Sequence, residues 1–249
     1  MTNDDHSFTF AEKIRSIFAL FILAIAFISG GILAAVFGLV TFFQFTNFVV
    51  TIFGKMIGGV AFFLLGLKLD IKYHGELPQQ AVYIFNHSST LDIPITLAIG
   101  LKNTRYVAKY ELLFNPVFAI VGLATGQVFI NRGTSKKAIQ SIQRAYKRIV
   151  EKKLNLVIAP EGTRKHVDRI GKFKKGAFHT AKDLGYPIVP LYYANSWNLG
   201  PESALFFHKG TITIHIFEPI STVGWTKENL DEKVSEVRAK YVEWSELYD

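Results

Sequence analysis

Residues 81–99 read AVYIFNHSSTLDIPITLAI, and the order of residue types in this stretch decides the fold. The apolar run 81–85 reads as a strand, the polar residues 86–92 as a loop, and the apolar residues to Ile99 as a helix. The alternation continues downstream. Strands are predicted at 105–108, 127–130, 155–159, 187–193 and 211–217, and helices at 112–123 (apart from Pro116), 134–153, 174–184 and 227–247. In the helix 134–153, residues Ala138, Ile139, Ile142, Ala145, Tyr146 and Ile149 recur at i, i+3, i+4 spacing. Strands alternating with helices imply an α/β layer fold with a mixed, largely parallel sheet flanked by helices.

Upstream the pattern is different. No charged side chain occurs from residue 16 to residue 54, and from 17 to 40 the single polar side chain is Ser29. A membrane span needs roughly 20 apolar residues, so this run predicts a hydrophobic membrane-anchoring helical segment. A cleaved signal peptide is not expected, because the leader carries Asp4, Asp5 and Glu12 and the run continues far past Ala24-Ile25-Ala26. Lys13 and Arg15 precede the run, whereas Lys55, Lys68 and Lys72 follow it. Keeping both basic flanks on the cytoplasmic side calls for a hairpin or re-entrant pair, broken near Ser29-Gly30-Gly31 and anchored in one leaflet. The expected division is therefore a membrane-embedded helical segment, 1–67, and a catalytic α/β domain, 68–249.

Composition agrees with an anchored globular chain of 249 residues. Hydrophobic residues make up 49%, charged residues 19%, and mean hydropathy is +0.23. Cysteine is absent, which excludes disulfides, thiolate metal sites and a cysteine nucleophile. The net charge of +8 points to an anionic partner. It is concentrated: residues 105–182 hold 17 Lys or Arg against four acidic residues, whereas 183–249 hold five against ten. Most of the cations on the helix 134–153 read as a solvated face.

Two polar loops carry the chemistry. In the first, His87 and Asp92 stand five residues apart after an apolar strand. A neutral imidazole can remove a proton from a hydroxyl, and a carboxylate on its other nitrogen fixes the tautomer and stabilises the imidazolium. A helix starting near Leu91 would bring Asp92 back to His87. The other six histidines (His6, His74, His166, His179, His208 and His215) read as structural. The second loop, Pro160-Glu161-Gly162-Thr163-Arg164, also ends an apolar strand, where ligands bind in α/β sheets. Arg164 offers a planar fork for phosphate, Gly162 admits close backbone approach, and Glu161 can orient Arg164 or accept from a substrate hydroxyl.

Together these loops resemble those of the glycerolipid acyltransferases, specifically the bacterial lysophosphatidic acid acyltransferases. Four blocks match in order between about residues 82 and 192: Asn86-His87 with Asp92; Lys109-Tyr110-Glu111-Leu112 with Pro116, Gly122 and Phe129-Ile130-Asn131-Arg132; Pro160 to Arg164 followed by Phe173-Lys174-Lys175-Gly176-Ala177-Phe178; and Ile188-Val189-Pro190-Leu191. Departures are Ala159, where an aromatic is usual, and Asn131, where an acidic residue is common. The resemblance implies that His87 is the general base on the sn-2 hydroxyl of lysophosphatidic acid, with Asp92 supporting it. Acyl-CoA or acyl carrier protein would be the co-substrate, with no acyl-enzyme, no cofactor and no metal. It implies that Arg132, Glu161, Gly162, Thr163 and Arg164, with Lys109, hold the glycerol phosphate. It also implies a place at the cell (inner) membrane with the catalytic domain facing the cytoplasm.

The bare residues agree in what they lack. There is no G-x-S-x-G elbow, so a lipid hydrolase is disfavoured, and Ser88 shows no sign of activation. There is no H-E-x-x-H, and no nucleic-acid motif accompanies the basic charge. The rival readings are the same machinery acting on another lysophospholipid or a lyso-aminolipid, and a membrane-tethered basic binding module that would not need His87 or Asp92.

Overall fold

The computed structural model describes residues 8–130, 136–163, 170–200 and 204–249. Two long apolar helices come first, α1 (Phe10–Val40) and α2 (Thr46–Leu65). There follow β1 (Leu67–Tyr73), β2 (Val82–Phe85), α3 (Asp92–Ile99), β3 (Thr104–Lys109), a 3-10 turn (Tyr110–Phe114), α4 (Pro116–Ala124) and β4 (Val128–Ile130). The rest of the chain adds α5 (Lys136–Glu151), β5 (Asn155–Ile158), α6 (Gly176–Leu184), β6 (Ile188–Ala194), α7 (Ser196–Leu199), β7 (Gly210–Ile216) and α8 (Leu230–Tyr248).

The seven strands form one sheet in the order β1-β7-β6-β2-β5-β3-β4. The β6–β7 pair is antiparallel and every other pair is parallel. The sheet is mixed and largely parallel, as expected. The central strands β2, β5 and β6 are buried along their whole length, because helices cover both faces. Their side chains alternate between two cores. Tyr83, Phe85, Val157, Val189 and Leu191 meet Phe62, Leu65, Leu91 and Ile95 from α2, α3 and the loop before α3. On the other face Val82, Ile84, Leu156, Ile158 and Ile188 meet Ile149, Phe178, Val237 and Tyr241 from α5, α6 and α8.

The expected break at 29–31 does not occur. Helix α1 runs through it: Ser29 Oγ bonds back to Ile25 O at 2.8 Å, and at Gly31 Val121 of α4 packs closely against α1. The turn lies instead at 41–45, where Phe42 and Phe43 take left-handed backbone with φ of 49° and 57°. No Gly or Pro marks that turn in the sequence. Strand β1 was also not anticipated as a strand; its alternation of Leu67, Leu69 and Ile71 with Lys68, Asp70 and Lys72 is plain, but the lysines read as the basic flank of the apolar run.

The helical hairpin lies along the α/β layers from end to end. At the start of α1, Ser16 Oγ accepts from Phe207 N at 3.0 Å and Glu12 meets His208 Nδ1 at 2.9 Å. At its far end Ala34 packs with Val49 and Ala124. In the middle of α2, Gly58 lets α3 approach so closely that a Cβ there would sit 2.4 Å from Ala98 N. Both helices are long and apolar enough to cross a membrane. Yet their outward faces leave large apolar side chains uncovered, with Phe63 83% and Phe21 63% exposed. That is the pattern of a surface meeting a non-aqueous partner.

Candidate active site

Strands β2 and β5 are neighbours although β3 and β4 lie between them in sequence, so the loops leaving their carboxyl ends converge. This is the edge at which open α/β sheets bind ligands. The first loop is pinned on both sides. Asn86 extends the ladder to β6 with its side chain, Oδ1 accepting from Tyr193 N at 2.8 Å and Nδ2 donating to Tyr193 O at 3.3 Å. Ser89 Oγ donates to Gly200 O and accepts from Leu91 N. Ser88 is buried, its Oγ 3.1 Å from Ser196 Oγ.

With the loop so held, α3 starts at Asp92 and turns that carboxylate back on the histidine. Asp92 Oδ2 stands 2.7 Å from His87 Nδ1 and also accepts from Ser89 N at 3.2 Å. Asp92 is 1% exposed, while the His87 side chain is 22% exposed. A buried acceptor on Nδ1 fixes the proton there, so Nε2 is the nitrogen available to take a proton. The His87 ring forms a T-shaped pair with Phe85, which stacks in turn on Tyr193.

Glu161 is buried between the two loops. It is 1% exposed, and its two carboxylate oxygens accept from His87 N and Gly171 N, each at 2.7 Å. It ties the histidine loop to the segment before α6. Burial pushes its carboxyl up to about 7, against the opposing pull of those two N–H groups. Glu161 thus braces the backbone of the His87 loop, a contact that sequence spacing could not reveal because its partners are distant along the chain.

Gly162 adopts φ +69°, and a Cβ there would lie 2.9 Å from Lys174 Nζ. The Lys174 ammonium therefore covers the glycine turn. The segment before α6 is tied back to the end of the β5 loop by Lys174 N, which donates to Pro160 O at 2.8 Å, and this brings Lys174 to Gly162. Thr163 is exposed beside this turn. Lys109 ends β3 at the same edge of the sheet. Arg132 and Arg164 lie outside the described residues.

Residues 70–194 match the family model for acyltransferases. The chain belongs to the acyltransferase family. Among relatives, the 1-acyl-sn-glycerol-3-phosphate acyltransferase of Haemophilus influenzae is 31% identical over 169 residues, covering 67% of this chain and 70% of that protein. The enzyme of the same name from Cocos nucifera is 31% identical over 192 residues, which is 77% of this acyltransferase but 62% of the coconut protein. The crystal structure of the 1-acyl-sn-glycerophosphate (LPA) acyltransferase from Thermotoga maritima superposes with a TM-score of 0.70 at 23% identity, covering 92% of this chain and 94% of that one. This acyltransferase shares that fold.

Proposed function

We propose that this acyltransferase moves a fatty acyl group from acyl-CoA or acyl carrier protein to the sn-2 hydroxyl of lysophosphatidic acid, giving phosphatidic acid. The observation that carries the reading is the 2.7 Å contact between Asp92 Oδ2 and His87 Nδ1 at the carboxyl edge of the sheet. In the proposed reaction His87 Nε2 takes the hydroxyl proton as the oxygen attacks the thioester carbonyl carbon. The C–S bond then breaks, and the thiolate leaves as free thiol after taking the proton from His87. Asp92 stabilises the imidazolium between these two transfers. No acyl-enzyme is formed, in keeping with a chain that has no cysteine and a Ser88 buried against Ser196.

The acceptor's glycerol phosphate is assigned to Arg132, Arg164, Thr163, the Gly162 backbone, Lys109 and, from its place over Gly162, Lys174. Glu161 is assigned to holding the loop that carries His87, through its bond from His87 N. The segment 1–67 is assigned to the membrane as a monotopic hairpin, supported by helices that lie along the α/β layers rather than projecting from them. We place the enzyme at the inner membrane with its catalytic domain towards the cytoplasm. The test is mass-spectrometric identification of products from purified enzyme given lysophosphatidic acid, lysophosphatidylcholine or a lyso-aminolipid, each with acyl-CoA and with acyl carrier protein. The proposal requires phosphatidic acid as the fastest-formed product. A faster product from either other acceptor would reassign the head group, and none from any acceptor would leave the binding-module reading.

A further inference from the structure

At the opposite, amino edge of the sheet, a cavity of about 630 Å³ opens between the α1–α2 turn, the start of β3 and the end of α5. Three cations line it, Arg105, Arg148 and Lys152, and among the described residues no Asp or Glu does. Arg105 is 2% exposed. Its guanidinium donates to Thr104 O at 2.9 Å and to Asn47 Oδ1 at 2.5 Å, while Nε is buried without a partner. Arg148, half-buried, donates to Gly126 O. Burial and then the charge of Arg148 lower the Arg105 pKa to about 10. A buried guanidinium facing a second one, with only neutral acceptors, is costly unless an anion completes it.

The remaining walls say what kind of anion. Phe42 and Phe43 come from the turn of the apolar hairpin, and Phe42 is 84% exposed. Guanidinium forks suit phosphate, and the adjoining apolar surface suits hydrocarbon attached to it. We propose that this cavity binds a phosphate group, that of an anionic phospholipid, at a site separate from the His87 centre. The inference does not depend on acyl transfer.

The experiment uses full-length protein, purified in detergent, with Arg148→Gln and, as a surface control on the same helix, Lys147→Gln. One arm measures flotation with phosphatidylcholine vesicles, with and without phosphatidylglycerol, an anionic lipid that is not the proposed acceptor. The expected result is about a tenfold loss of affinity for the phosphatidylglycerol vesicles in Arg148→Gln, the effect of one charge-assisted hydrogen bond. Binding to phosphatidylcholine alone, and all binding by Lys147→Gln, should be unchanged. The second arm compares melting temperature in inorganic phosphate and in chloride at equal ionic strength. A phosphate-induced rise that Arg148→Gln lacks, with no vesicle effect, assigns the site to soluble phosphate and overturns the lipid source. Equal losses in both variants mean diffuse surface charge and overturn the site, as does no response in either arm. Should circular dichroism show that Arg148→Gln does not fold, Lys152→Gln, on an exposed side chain of the same cavity, is read in its place.

Discussion

Asp92→Asn changes one atom at the centre of the site while keeping its shape. The carboxylate oxygen that faces His87 Nδ1 at 2.7 Å also accepts from Ser89 N at 3.2 Å, and an amide oxygen can occupy the same position. What disappears is the negative charge. In the proposed reaction that charge matters little while His87 is neutral and strongly once the imidazolium forms. For unit charges about 4 Å apart the attraction is ~4 kcal/mol at an effective dielectric constant of 20. Allowing for the hydrogen bond that the amide retains, about 3 kcal/mol of transition-state stabilisation should be lost, or roughly 100-fold in kcat. KM should change little, because the ground state keeps its geometry. The assay is steady-state acyl transfer to lysophosphatidic acid by Asp92→Asn, His87→Ala and the double variant. Each single change should cost roughly 100-fold, and the double variant should be no slower than His87→Ala, since Asp92 acts only through the ring. A double variant slowed by the product of the single effects would refute the dyad, as would Asp92→Asn with a third or more of normal turnover.

Three further consequences are open to measurement. Glu161, with its carboxyl pushed up to about 7, binds its proton more tightly when folded than when unfolded. The folded state therefore holds more protons between the ordinary value, 4.5, and about 7, so stability falls as pH rises through that window; Glu161→Gln should flatten this slope in pH-dependent melting, and an unchanged slope would place the titration elsewhere. Gly162→Ala forces a side chain into left-handed backbone and against Lys174, so it should cost about 1–2 kcal/mol in stability and raise KM for the phosphorylated acceptor; a variant with unchanged KM would remove this turn from the head-group site. Gly58→Ala pushes a methyl into the Ala98 backbone, which should separate α2 from α3 at a cost of about 1–3 kcal/mol, seen as a lower melting temperature. No change there would mean that the hairpin is not seated on α3.

The parts of the fold set by local pattern were legible in the sequence. The run 81–85, the loop after it and the helix starting at Asp92 involve neighbours only, so His87 and Asp92 could be paired from spacing together with the motif blocks. Glu161 was visible as a motif residue, but its bonds across the two loops were not. Its partners, His87 N and Gly171 N, are brought to it by the adjacency of β2 and β5, which no local pattern encodes. The hairpin turn misled for a different reason. Gly30 and Gly31 are signals of a break, yet here Gly31 serves close packing against Val121, while the turn falls on Phe42 and Phe43, residues that local preference would not choose. The strand β1 carries a clean alternation, but its lysines matched an equally good account as a membrane flank. The cations Arg105 and Arg148 belong to β3 and α5, and only the tertiary fold brings them into one cavity.

The central claim is that His87 is the base for direct acyl transfer to a lysolipid hydroxyl. It is tested most directly by acceptor-dependent release of free CoA thiol from acyl-CoA, with purified wild type and His87→Ala side by side. The account predicts release by the wild type only when lysophosphatidic acid is present, and a rate at least ~100-fold lower in a folded His87→Ala variant. Ordinary turnover by that variant, or wild-type release that ignores the acceptor, would contradict it.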